Sequence, residues 1–178
     1  MKCAIQLVFN DENQNRINQL RKMLIVNGCH DEAVPINHIS LAEIEIEDNQ
    51  LHIVESILEN FSKNHKPLNL VLSSVGSFMS NENVLFLTPT MTDDLITYND
   101  ELVKILAENN ISCGKYYIKN NWQPHCTIAI RVTNNELFAG FKTLKENNIL
   151  PMSVIGCAID LMCFDPKPYK ELMRFELK

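Results

Sequence analysis

Segments with the apolar pattern of strands alternate along this chain with segments that have the apolar pattern of helices, and this order of segments occurs twice. Residues 3–9, 36–46 and 68–78 show the alternating or continuous apolar pattern of strands, and the segments between them carry apolar residues at helical spacing. From residue 84 the order strand, helix, strand, helix, strand begins again, and one further strand is predicted at 169–177. The two halves therefore share an order of elements, although their sequences barely match.

The length and composition are those of one globular domain. The chain has 178 residues, of which 46% are hydrophobic and 21% charged, and both values are ordinary for a single domain. We therefore predict one domain over residues 1–178, with halves at approximately 1–83 and 84–178. Asp11 is the expected N-cap of the first helix, and Gly28 is expected to end it.

The charge of the chain limits its partners. The formal net charge is -6, whereas long nucleic acid requires a basic surface that neutralises phosphates. We therefore predict a nucleotide or a short RNA as the partner, held in a local pocket, and no long duplex. No segment approaches the roughly 20 apolar residues of a membrane span, so no membrane partner is expected and the sequence favours a cytoplasmic protein. The six cysteines form no C-x-x-C pair, and we expect them to be reduced.

One short pattern occurs at the same place in both halves. The middle strand of the first half contains His38-Ile39-Ser40-Leu41, and that of the second contains His125-Cys126-Thr127-Ile128. Because successive side chains of a strand point to opposite faces, each histidine shares a face with its hydroxyl residue, roughly 6–7 Å away along the strand. If the halves pack about a pseudo-twofold axis, both imidazoles and both hydroxyls meet in one cleft.

Two imidazoles and two hydroxyls can carry out acid–base chemistry on a phosphodiester. A neutral imidazole accepts a proton from the attacking water or ribose hydroxyl, and a protonated one gives a proton to the leaving oxygen. The ordinary histidine pKa of about 6.5 suits both roles. The hydroxyls donate hydrogen bonds to the phosphoryl oxygens as charge accumulates there. These residues fit either histidine as the base, and the chemistry requires no metal and no cofactor.

The two motifs, one in each half of a short chain, resemble those of the two-histidine (2H) phosphoesterase superfamily, which includes the 2′-5′ RNA ligase-like proteins and the cyclic phosphodiesterases. The resemblance implies a two-lobed α+β fold, in which antiparallel sheets line a central groove and helices pack outside. It implies a metal-independent phosphodiesterase for a 2′,3′-cyclic phosphate, a 2′-5′ phosphodiester or a short RNA end. It assigns catalysis to His38 and His125, and phosphate binding to Ser40 and Thr127.

The residues around the second motif supply further candidates for substrate binding. Bacterial RNA ligase-like members of the superfamily often carry an arginine close after this motif, whereas here Ile130 precedes Arg131. By strand parity Arg131 lies on the His125 face, and we predict that it reaches the substrate. Trp122 and Tyr117 lie in the irregular segment before the motif, where aromatic rings can stack on bases. Ordinary packing of that segment is an equal alternative for both rings.

The other three histidines are predicted to be surface residues, and the motif residues also fit an alternative function. His30, His52 and His65 lack the spacing of metal ligands on one face, so we predict no metal site and place all three at the surface. A nucleotide- or RNA-end-binding module of the same fold, with little turnover, would keep the same motif residues.

Overall fold

The protein is described by a computed structural model over residues 1–30, 36–79, 82–165 and 167–178. Within these ranges it forms seven strands and four α-helices in the predicted order. The strands are β1 (Lys2–Phe9), β2 (His38–Glu45), β3 (Leu68–Phe78), β4 (Val84–Pro89), β5 (Cys126–Ile130), β6 (Met152–Asp165) and β7 (Lys170–Glu176). The helices are α1 (Asp11–Val26), α2 (Leu51–Asn64), α3 (Asp93–Glu108) and α4 (Asn134–Glu146), and a short 3-10 turn, Asp48–Gln50, precedes α2.

Polar residues at the helix ends determine where the helices begin and end. The N-cap of α1 is Asn10, whose side chain accepts a hydrogen bond from the Asn13 amide. The prediction of Asp11 as the cap was therefore wrong by one residue, and Asp11 instead places its charge in the first turn, where the helix dipole favours it. Gly28 follows the C-cap of α1 with a φ of 88°, a conformation that lacks a steric penalty only for glycine. None of the helices in the described ranges is long and apolar enough to cross a membrane.

The strands of the described residues join in one antiparallel network. Its order is β2-β1-β6-β3-β4-β5, and β7 also pairs with β6. The last strand of the first half, β3, pairs with the first strand of the second half, β4, while β6 pairs with β1. The triplets β2-β1-β6 and β5-β4-β3 are therefore equivalent: in each, the first strand of one half lies between the second strand of the same half and the third strand of the other half. The predicted α+β fold with antiparallel strands is confirmed, and the two triplets are continuous through the pairing of β3 with β6.

The two faces of the sheet have different roles. Cys3, Ile5 and Leu7 of β1 are each 0% exposed and belong to the main apolar core, to which all four helices contribute. The alternate residues Ala4 and Gln6 point to the opposite face, where they line a cleft. Because of the period-two alternation, one face of β1 packs in the core and the other face lines the cleft.

Candidate active site

A cleft with a volume of about 310 Å³ opens on the sheet face opposite the main core. Residues of β1, β2, β5 and β6 form its floor and walls, and all four motif residues line it. The structure therefore brings together the side chains that the sequence placed in two separate halves. The lining residues are Ala4, Gln6, Ile36, His38, Ser40, Glu43, Tyr117, His125, Thr127, Ile130, Arg131, Met162, Phe164 and Tyr169.

The two motif histidines are oriented by the same local contact. Nδ1 of His38 lies 2.8 Å from the carbonyl oxygen of Ile36, and Nδ1 of His125 lies 2.8 Å from that of Gln123. A carbonyl oxygen can only accept, so Nδ1 carries the proton in each neutral ring and Nε2 holds the lone pair. The carbonyl belongs in each case to the residue two positions earlier. The two motifs therefore repeat in side-chain orientation as well as in sequence.

Aromatic rings pack against His125. The Phe78 ring meets the imidazole edge-on, with centroids 4.9 Å apart, and the Phe86 ring lies at 5.0 Å. On β3, Gly76 pairs with Phe86, and a Cβ at Gly76 would overlap the Phe86 ring. The glycine thus permits the close approach that lets Phe86 support the imidazole.

Burial lowers the pKa of both histidines, but their charged neighbours differ. For His38, burial lowers the pKa to about 4, and the positive charges of His125 and Arg21 act in the same direction against the effect of its backbone hydrogen bond. For His125, burial also lowers the pKa, while its backbone hydrogen bond and the Glu43 carboxylate oppose that effect. Burial therefore disfavours the charged form of both imidazoles. At His38 two positive neighbours add to this effect, whereas at His125 the Glu43 carboxylate opposes it.

A β-bulge in each motif strand changes which residues reach the cleft. The pairing of β1 with β2 skips one residue of β2 after Ser40, and the pairing of β4 with β5 skips one residue of β5 after Thr127. An extra residue in one strand reverses the inside–outside alternation beyond it. Glu43 and Ile130, each three residues after the hydroxyl residue of its motif, therefore return to the cleft.

Glu43 is a cleft residue that sequence reasoning missed. Strict alternation would place it with Ile39 and Leu41 on the core face. In the structure the Tyr117 hydroxyl donates to Glu43 Oε1 at 2.9 Å, and both side chains line the cleft. Burial, followed by the Glu43 carboxylate, raises the pKa of Tyr117 against the opposing effect of Ser40, so the phenol stays a donor. An acidic residue between apolar neighbours in a strand is the signal that could have indicated it.

The other two predicted binding residues have different outcomes. Arg131 does line the cleft, but the parity that predicted its position was wrong, because the bulge gives the cleft-facing strand position to Ile130. Arg131 follows the strand with a φ of 62°, and its Nε lies 3.5 Å from Glu82 Oε2. Trp122 is not among the lining residues. Its indole N–H donates to the Ser40 carbonyl at 3.1 Å and its ring packs against the core, so its contacts support the first motif strand.

The remaining histidines lie outside the cleft. His30 and His52 are exposed, as predicted. His65 is partly buried at the surface: its ring stacks on Phe61 at 3.7 Å, its Nε2 lies 2.7 Å from Glu101 Oε2, and its side chain is 15% exposed. Within the described ranges, no group of three or more His, Cys, Asp or Glu side chains has the arrangement of a metal site.

Solved structures with the same fold include proteins of Thermus thermophilus and E. coli. The protein TT0787 of Thermus thermophilus superimposes with a TM-score of 0.69 at 13% identity, covering 99% of this chain and 98% of that chain. E. coli LigT complexed with 3′-AMP superimposes with a TM-score of 0.66 at 15% identity, covering 99% and 98%. The ATP complex of LigT has a TM-score of 0.57 at 14% identity, covering 99% and 97%. These similarities establish the fold over nearly the whole chain.

Sequence comparison identifies the family. No curated protein matches the chain significantly, but the family model described as the 2′-5′ RNA ligase superfamily matches residues 9–165. This range contains both histidine motifs and every strand from β2 to β6. The chain therefore belongs to the 2′-5′ RNA ligase superfamily of two-histidine phosphoesterases.

Proposed function

We propose that this protein is a metal-independent phosphodiesterase that cleaves a 2′,3′-cyclic phosphate, a 2′-5′ phosphodiester or a short RNA end by two-histidine acid–base catalysis. The observation that supports this function best is the matched orientation of His38 and His125. Each has Nδ1 bound to the carbonyl two residues earlier, and each shares one cleft with the hydroxyl of its own motif. A histidine that served only packing would have no reason to repeat this arrangement across the cleft.

The charges around the two imidazoles favour His38 as the general base and His125 as the general acid. His38, with its pKa lowered to about 4, acts as the base: Nε2 takes a proton from water or a ribose hydroxyl as the oxygen forms its bond to phosphorus. His125, whose protonated form Glu43 favours, acts as the acid and gives its Nε2 proton to the leaving oxygen as the P–O bond breaks. The anionic phosphodiester itself favours the imidazolium form further.

The hydroxyl residues stabilise the charge that develops on the phosphoryl group. Ser40 and Thr127 each lie two residues after a histidine and line the same cleft. Their hydroxyls donate hydrogen bonds to the two non-bridging oxygens as negative charge accumulates during attack. His38 gains one proton from the attacking oxygen and His125 loses one proton to the leaving oxygen. Proton exchange with solvent then returns both imidazoles to their starting states.

The size of the cleft and the net charge of the chain favour a small nucleotide substrate. A volume of about 310 Å³ lies at the lower end of the range for small-molecule sites, about 300–1,000 Å³. E. coli LigT, which shares the fold, has been solved with 3′-AMP, ATP, NADP+ and phosphate. The net charge of -6 disfavours a long duplex. A nucleotide, or the end of a short RNA, fits both observations.

The decisive experiment measures hydrolysis of 2′,3′-cyclic mononucleotides and a 2′-5′-linked dinucleotide in the presence of EDTA. Turnover by the wild type should survive the chelator. His38→Ala and His125→Ala should each lose about a hundredfold or more in kcat, as expected when a general acid or base is removed. His52→Ala, an exposed histidine on α2, serves as the matched control and should keep full activity. Abolition by EDTA, or full activity in either cleft variant, would contradict the proposal.

A second candidate function is binding of a nucleotide or RNA end with little turnover. The observation that favours it is the lowered pKa of both histidines, because little imidazolium is then present at neutral pH to act as the acid. Two measurements at pH 5 and pH 8 distinguish the two functions: calorimetric titration with 3′-AMP, and analysis of the product formed from the cyclic mononucleotides and the 2′-5′-linked dinucleotide. Saturable binding without product at both pH values would favour the binding module, whereas product at pH 5 favours the enzyme.

A further inference from the structure

Gln6 and Asp160 are cross-strand neighbours on the cleft face of the sheet. Gln6 of β1 pairs with Asp160 of β6 on one side and with Ser40 of β2 on the other, so the three side chains form a row on one face. Gln6 lines the cleft, and Asp160 is 0% exposed beside it. Neither side chain was expected to contribute to the site from the sequence.

The polar atoms of this pair lack hydrogen-bond partners. Oε1 of Gln6 and both carboxyl oxygens of Asp160 are buried, and none accepts a hydrogen bond from any described residue. Buried acceptors without donors are unfavourable and rare. The pair itself can supply a donor in two ways. Either Asp160 is protonated and donates to Gln6 Oε1, or the Gln6 amide makes a half-turn and donates its NH₂ to an ionised Asp160.

The charged groups around Asp160 favour the protonated form. The pKa of Asp160 is raised to about 7, chiefly by burial and also by the Glu171 carboxylate, against the opposing effect of Arg174. Arg174 pairs across the strands with Asp160, but its Nε lies 3.2 Å from Glu176 Oε1, so part of its charge is satisfied there. The strand register places no titratable residue of β1 next to Asp160. The titratable residues of the neighbouring strand β7 are Glu171, Arg174 and Glu176, and His38 and Glu43 of β2 lie one strand further away, beyond β1.

We propose that Asp160 is a neutral carboxylic acid that donates to Gln6 Oε1 and thereby holds the Gln6 NH₂ group toward the cleft, as a third donor to phosphoryl oxygens beside Ser40 and Thr127. Gln6 is then a ligand-binding residue and Asp160 a positioning residue. The inference rests on the proposed function in one respect, namely that the ligand carries a phosphoryl group. When Asp160 ionises, the amide turns its NH₂ to the carboxylate, the amide oxygen faces the ligand, and binding of the anion weakens.

The first test needs no ligand. Infrared difference spectra of the whole protein at pH 6, wild type against Asp160→Asn, should show the carbonyl stretching band of a protonated carboxylic acid that is present only in the wild type. Absence of that band overturns the inference, because the carboxylate would then be ionised and would hold the Gln6 NH₂ group itself.

The second test measures binding of inorganic phosphate and of 3′-AMP by calorimetry at pH 6 and pH 8. Asparagine can donate to Gln6 Oε1 as the protonated acid does, so Asp160→Asn should bind within about twofold of the wild type at pH 6. Gln6→Leu and Asp160→Leu should each bind about tenfold more weakly, as expected for one lost hydrogen bond to a charged group. At pH 8 the wild type should weaken relative to Asp160→Asn by a similar factor, and comparing these two proteins cancels the titration of the histidines.

The outcomes separate this inference from the proposed function. Unchanged affinity in Gln6→Leu, or an Asp160→Asn to wild-type ratio that is the same at both pH values, overturns the role of the pair. Hydrolysis in the EDTA assay reports on the two histidines independently, so an active enzyme with an unaltered KM in Gln6→Leu refutes only this inference. Failure of the wild type to bind either probe at pH 6 also removes Gln6 as a phosphate donor.

Discussion

Replacing Asp160 with asparagine removes a carboxyl group that burial favours as the neutral acid. Its pKa rises from 3.8 to about 7 in the folded protein, so the folded chain binds this proton more tightly than the unfolded chain. A group of that kind stabilises the fold fully below the unfolded pKa, and its contribution disappears as the pH rises through the folded pKa. A shift of about three units, at about 1.4 kcal/mol each, corresponds to up to about 4 kcal/mol.

The assay is urea unfolding of the wild type and Asp160→Asn at intervals from pH 4 to pH 8. The difference in free energy of unfolding, variant minus wild type, should increase by up to about 4 kcal/mol between pH 4 and pH 7 and then level off. Asp165→Asn, at the exposed end of the same strand, is the matched control for the loss of one negative charge. Its difference from the wild type should show no comparable rise near pH 7.

A difference between wild type and Asp160→Asn that stays constant from pH 4 to pH 8 would refute the reasoning. It would mean that Asp160 has the same pKa folded and unfolded, which a fully buried carboxylate achieves only with strong donors around it. The comparison requires equal denaturant slopes in the two proteins, because a changed slope would indicate a change in the unfolded or folded ensemble rather than in the titration.

Two further substitutions test the charges of the cleft. Glu43→Gln should lower the pKa of His125 and move the high-pH limb of the kcat/KM profile for a cyclic nucleotide to lower pH. The control Glu45→Gln, on the exposed end of the same strand, should leave this limb in place. An unmoved limb in Glu43→Gln would show that the Glu43 carboxylate does not affect the pKa of the catalytic acid. Ile130→Arg should tighten binding of 3′-AMP about tenfold by adding a cation to the cleft, with a stronger dependence on salt. Ile96→Arg, on the partly exposed face of α3, should bind as the wild type does, and equal affinities in all three proteins would contradict the prediction.

The order of strands and helices was predictable because each element has clear local signals. β3 was predicted at its observed bounds, since Pro67 precedes it and a polar turn follows it, with alternating apolar residues between. The first helix was misplaced by one residue because Asn10 and Asp11 both belong to the residue types that cap helices. The two motif histidines were identifiable because the same short pattern occurred at equivalent positions of the two halves.

The rest of the cleft depends on features that one sequence does not display. The bulge after Ser40 arises from the pairing of two strands, and it alone places Glu43 rather than its predecessor in the cleft. Gln6 and Asp160 meet because β1 pairs with β6 in one particular register, although they lie near opposite ends of the sequence. Each looked like an isolated polar residue in an apolar strand. Only the register shows that the two lie side by side at the cleft.

The bulges also explain how two equivalent motifs can take different chemical roles. Both motif strands carry the bulge at the same place, so each returns the third residue after its hydroxyl to the cleft, and these residues are Glu43 and Ile130. If both were apolar, no carboxylate would oppose the effect of burial on the pKa of His125. A single carboxylate in one half favours the protonated form of His125, the histidine of the other half. In the proposed mechanism, the division between acid and base therefore depends in part on a position that the backbone geometry, rather than the histidine motif itself, places in the cleft.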